Sequence, residues 1–202
     1  MRGPLGRKAF ARCVLATLST VAGLAVFPST SQAQQKENAG HVSKSVPPAF
    51  VQQPAAKKGA APATVAATSG VQVRWQDVLE TKTGGRLRTL LNDGSVLSLG
   101  SDAKLTVVQH DSRSQQSDLV LAAGRLRAQV VRLANPDSRF EVRTSTAVCG
   151  VLGTDEIVDA SNPTATVVIA ISGVVTVRSS DPTISGSVQL TEIGRASCRE
   201  RV

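Results

Sequence analysis

Leu87-Arg88-Thr89-Leu90-Leu91-Asn92-Asp93-Gly94-Ser95-Val96-Leu97-Ser98-Leu99 reads as two short alternating runs around a tight reversal. Side chains two apart on an extended chain share a face, so each run can cover one side of a sheet core. Between the runs, Asn92-Asp93-Gly94 is a strong hairpin signal, because Asn and Gly tolerate positive φ where other residues do not.

The same pattern continues downstream. Leu105-Thr106-Val107, Leu119-Val120-Leu121 and Leu126-Arg127-Ala128-Gln129-Val130 place apolar side chains two apart, and further short runs follow at Phe140 to Thr144, Val148 to Leu152, Ile157-Val158, Thr166 to Ile171 and Val174 to Val177. Gly124, Asn135-Pro136-Asp137, Gly153, Asn162-Pro163 and Gly173 mark the reversals. No window after residue 80 holds a helical period for ten residues. The expected fold is all-β: a single domain of many short strands over residues 70–191, as a sandwich, a roll or a β-solenoid. Val167 to Ile171 is apolar on both faces and is expected in the middle of it.

Both ends of the chain need separate readings. Arg2, Arg7, Lys8 and Arg12 precede the uncharged apolar stretch Val14 to Phe27, and Ser31-Gln32-Ala33 follows. This is the pattern of a signal peptide over residues 1–33, with cleavage expected after Ala33. The apolar stretch is short of the roughly 20 residues of a permanent span, although an uncleaved anchor is the alternative. Residues 34–69, rich in Ala, Gln, Lys, Ser and Pro, show no period and are expected to be a disordered linker. Residues 193–202, Ile-Gly-Arg-Ala-Ser-Cys-Arg-Glu-Arg-Val, resemble a translated sequencing adapter and are expected to be a non-native tail, with natural sequence following about Thr191.

These segments explain the charge. The 202 residues hold 23 Lys+Arg against 15 Asp+Glu, a net +8, which invites a nucleic-acid reading. Yet the first 33 residues supply four bases and no acid, and the last ten supply three bases against one acid. Between Val71 and Asp181 the balance is 12 against 12. With one Trp, no Tyr and four Phe, base-stacking platforms lack their usual residues. No nucleic-acid partner is expected.

Taken in order, Leu91 to Leu99, Leu119 to Gly124 with Arg125-Leu126, Phe140 to Thr144 with Ala147, Gly150-Val151-Leu152-Gly153-Thr154, and Val167 to Val177 resemble the FecR domain, the periplasmic module of bacterial ferric-citrate-type sensor regulators. The likeness spans Val71 to about Asp181. Regulators of that type carry a cytoplasmic anti-sigma region before a membrane helix, whereas only residues 1–13 precede the apolar stretch here. The resemblance therefore implies an exported, non-catalytic envelope module without an anti-sigma region of its own. Two residues after Thr154 the family pattern favours an aromatic, and this chain has Glu156.

No catalytic, cofactor-binding or metal-ligating residue is assigned. Gln109-His110-Asp111-Ser112 contains the residue types of a hydrolytic triad, but neighbours on an extended chain point to opposite faces. The stretch His110 to Asp118 reads as a solvated hairpin loop. Cys149 in an apolar run reads as a small buried hydrophobe. Asp155, Glu156 and Asp159 lack the spacing of a calcium loop and read as exposed strand-edge charges. Arg125, Arg127, Arg132, Arg139 and Arg143 have matching acids and read as a solvated face. The expected partner is an envelope protein or glycan, with no stable membrane span after signal cleavage. The rivals are a secreted hydrolase using His110, and a signal-anchored fragment of a FecR-type regulator.

Overall fold

The computed structural model describes residues 38–55, 61–132, 137–191 and 194–199, and the regular elements within them are all β-strands. The expected signal peptide lies outside the described residues. In chain order the strands are β1 (Asn38–Val46), β2 (Ala49–Gln53), β3 (Ala63–Ala66), β4 (Gln72–Arg74), β5 (Val78–Thr81), β6 (Arg86–Leu91), β7 (Val96–Leu99) and β8 (Lys104–Asp111). There follow β9 (Gln116–Gln129), β10 (Arg139–Arg143), β11 (Ala147–Val151), β12 (Asp155–Asn162), β13 (Ala165–Ser172), β14 (Val174–Ser179), β15 (Ser187–Thr191) and β16 (Gly194–Arg199).

Hydrogen bonding joins them through β9 into one open sheet with two halves. The first half runs β4-β1-β6-β7-β9-β12-β13-β16. The second runs β3-β2-β5-β8-β9-β10-β11-β14-β15. Every pairing is antiparallel except β9 with β10. The all-β expectation holds, and the hairpin at Asn92-Asp93-Gly94 joins β6 to β7 with Gly94 at φ +89°.

Strand β9 serves both halves. Its first part pairs with β8 and β10, its second with β7 and β12. The change falls at Gly124, where φ is +79° and a Cβ would lie 2.5 Å from the Ala103 Cα. Only glycine accepts both conditions. The buried positions shift there too, from Ser117, Leu119 and Leu121 to Leu126 and Ala128. A register slip against β8, where Lys104 faces Ala123 and Leu105 faces Leu121, accompanies the bend.

The inward residues of both halves form one core that includes Val42, Leu79, Leu97, Leu105, Leu119, Leu126, Phe140 and Val168. Thr166 of β13 bonds across it to Thr144 and Thr146 hydroxyls, each at 2.7 Å, so buried polar groups near one end are paired.

Two expectations need correction. Residues 34–69 are not a featureless linker: β1, β2 and β3 lie there, and Ala39, Val42, Ala49 and Val51 are buried. Strands β1 and β2 borrow their register from β6 and β5, and a bulge between Val42 and Lys44 breaks the two-residue period that would have revealed β1. Within 193–202, Gly194–Arg199 pairs with β13; its alternation turns Ala196 and Cys198 toward the core, and an open edge accepts such a strand. The run Val167 to Ile171 is covered on one face only, with Val168 and Ala170 buried and Ile171 exposed.

Candidate functional site

Three places gather chemically capable side chains. The first surrounds His110. It sits at the end of β8 rather than in a solvated loop, and its ring is buried. Nδ1 lies 2.8 Å from the Ser117 hydroxyl and Nε2 lies 3.8 Å from the Asp93 carboxylate. Burial lowers the imidazole pKa, against the opposing charges of Asp93 and Asp111. Residue types of a triad thus converge, but not those of the Gln109–Ser112 stretch. Asp111 instead caps the following turn through Arg113 N–H and the Ser114 hydroxyl. His110 and Ser117 are only 2% and 4% exposed, so a substrate carbonyl cannot reach the hydroxyl. Asp93 accepts from the Ser95 amide and hydroxyl, which closes the β6–β7 turn.

The second place is inside. Glu156 on β12 pairs with Ala128 and Ala170 on either side, and it is fully buried with neither carboxylate oxygen hydrogen-bonded. Burial pushes its pKa up to about 8. The nearby Cys149 thiol is also buried, and its pKa is raised by burial first and then by the Glu156 charge. Cys149 is therefore an inert thiol of the core, as the sequence indicates. Strand β12 is interior to the sheet, flanked by β9 and β13, which corrects the strand-edge reading of Asp155, Glu156 and Asp159. Asp155 and Asp159 face outward and pair with Arg127 and Arg125 at 2.6 and 2.7 Å. Among the described residues no three His, Cys, Asp or Glu are placed to hold a metal.

The third place lies on the outer face of the first half. Cross-strand register sets Lys44, Arg88, Ser98, Arg127 and Ile157 in one row across β1, β6, β7, β9 and β12. The next row holds Val46, Arg86, Gly100, Arg125 and Asp159. All of these but Asp159 line an open groove of about 470 Å³, together with Ser45, Leu87 and Leu99. On this face strand β7 presents the small Ser98 and, just beyond its end, Gly100, with buried Leu99 between them, so the arginines of β6 and β9 stand as two ridges about a trough. The ridges differ: Arg125 and Arg127 are each bonded through two nitrogens to an aspartate, whereas Lys44, Arg86 and Arg88 have no acidic partner among the described residues.

The solvated-face reading of the basic residues holds for Arg125, Arg127, Arg139 and Arg143, whose acids are Asp159, Asp155, Glu141 and Asp118. Sequence reasoning missed Lys44, Arg86 and Arg88. The signal was present in Arg86-x-Arg88 and Arg125-x-Arg127, two pairs with the spacing of one strand face. Lys44 was hidden because its strand has no local period.

Comparison with known proteins agrees with the sequence motifs. The FecR protein family matches residues 77–176, from just after β4 into β14, and this segment is a FecR domain. Two crystal structures of a candidate anti-sigma factor from Parabacteroides distasonis ATCC 8503 are similar to the chain, with a TM-score of 0.48 and 18% identity. The similarity covers 61% of this chain and 59% of that one, so it spans less than two thirds of that protein's length. No curated protein matches the chain.

Proposed function

We propose that this protein is an exported, non-catalytic module of the bacterial cell envelope, which senses or assembles by holding a protein or glycan partner. The FecR domain over residues 77–176 carries the reading. Burial of the His110–Ser117 pair supports a binding role over hydrolysis. So does the groove on the first half, which is shallow, open and built on rigid strands. Among the described residues no helix is long and apolar enough to cross a membrane.

In-cell photo-crosslinking tests this reading. A photoreactive amino acid is placed singly at Ser98 and Arg178, on the outer faces of the two halves, and at exposed Val188 on the edge strand of the second, and the full chain is expressed in a Gram-negative host. The expected result is a discrete adduct in the periplasmic or outer-membrane fraction from at least one position. Recovery of the protein from the cytoplasm, or no adduct from any position, overturns it.

A further inference from the structure

We propose that the trough between the β6 and β9 ridges binds an extended acidic peptide segment carrying aliphatic side chains. The inference rests on the partner-binding reading above and names the surface and the chemistry of its occupant.

Lys44 is directly opposite Arg88 across β1 and β6, and Arg86 lies one face-repeat along the same strand. Like charges opposed in this way destabilise a sheet. On the β9 ridge the cost is relieved by Asp155 and Asp159; on the β6 ridge no acid of the described residues relieves it. An arriving carboxylate would supply the missing counter-charge at a site already arranged for it.

The dimensions favour a polypeptide. Ridges two strands apart are separated by about 10 Å, two of the roughly 4.8 Å strand spacings. That width admits one extended chain over Ser98 and Gly100, whose small side chains leave the trough open. Along β6 the cations repeat every second residue, roughly 6.6 Å. A peptide with acids at alternate positions has the same repeat. Val46, 45% exposed, and half-buried Ile157 offer apolar ground at the two flanks, which suits Val or Leu in the intervening positions. The groove holds no aromatic side chain, so neither a sugar ring nor a nucleobase finds a stacking surface there.

The test uses the full chain and fluorescein-labelled eight-residue peptides, alternating Glu-Val or Lys-Val, read by fluorescence anisotropy at low and moderate salt. The Glu-Val peptide is expected to bind and to weaken with salt, while Lys-Val does not bind. Replacing both Arg86→Ser and Arg88→Ser should weaken binding by about tenfold or more, and the distant control Arg113→Ser should change nothing. The double replacement removes like-charge opposition, so its melting temperature should not fall. If it does fall, Ser98→Glu blocks the same trough with a single change on its floor and must abolish binding. Equal binding of both peptides, or undiminished binding by the double variant and by Ser98→Glu, overturns the proposal. Binding of dextran sulfate or polyphosphate in place of the Glu-Val peptide overturns it in favour of another polyanion. A crosslink from Arg178 or Val188 but not Ser98 rejects this surface and leaves the partner-binding reading standing; no crosslink anywhere removes that reading itself.

Discussion

Glu156 brings a carboxylate among Ala128, Ala170 and Cys149 with nothing to bond it, and its ionisation is coupled to folding. Its ordinary value is 4.5 and burial raises it to about 8, so between these values the folded chain holds a proton that the unfolded chain has released. The stabilising contribution is complete below pH 4.5 and is lost as pH rises through 8, at up to about 1.4 kcal/mol per pH unit. Melting temperature should therefore fall between pH 5 and 8. Glu156→Gln should flatten that dependence, and an undiminished slope in the variant would refute the assignment. Sequence flagged this position as a departure from an aromatic pattern but read its charge as exposed. Alternation alone did not decide it, because residues flanking Gly153-Thr154 leave the strand phase open until β9 and β13 set it. Cys149 was legible, since its neighbours are all apolar or glycine. Iodoacetamide should leave it unlabelled in the native protein and label it in strong urea, a difference that mass spectrometry reads directly.

Among the elements, β6, β7 and β9 were legible as alternating runs and β13 and β14 as short apolar runs, all bounded by turn residues. Strands β1 to β3 were not, because their pairing partners rather than their own composition define them. Gly124 shows how one residue governs an element. Gly124→Ala must hold a positive φ, costing about 1–3 kcal/mol, and must also push its methyl into the Ala103 backbone. The midpoint of urea unfolding should drop substantially. The same change at Gly70, also at positive φ but with nothing within 4 Å, should cost only the backbone share. Equal losses at both positions would show that the Ala103 contact does not matter. The trough belongs to this scale as well: the spacing Arg86-x-Arg88 fits one strand face, but the pair's lack of acids emerges only when Lys44 and Ser98 are set beside it by register.

The whole molecule extends past the matched family segment. Residues 77–176 by themselves would lack β1 beside β6 and β2 beside β5, leaving Leu79, Leu87 and Leu91 without Val42 and Val51 over them. Each fully buried aliphatic side chain contributes about 1.5–3 kcal/mol, so a fragment of 77–176 should melt well below the full chain or aggregate through its freed edges. Thermal unfolding by circular dichroism, with light scattering alongside, compares the two; equal stability would show that β1 to β3 are ornaments on a self-sufficient core. Composition could place the all-β class and one domain, because those follow from period and turns. It could not place the domain's first boundary, since that depends on which distant strands have open edges.

Strand β9 also sets how the protein comes apart. A strand common to both halves works as a shared spine: its first part is hydrogen-bonded within one half and its second within the other, and the inward side chains of both halves close a single core. Opening either half uncovers the core of the other, so amides of Leu119, Leu121, Leu126 and Ala128 should exchange with solvent only when the entire domain opens, all with the same protection free energy. A tug on a partner held in the trough would reach the opposite half along a continuous backbone, without passing through any loop.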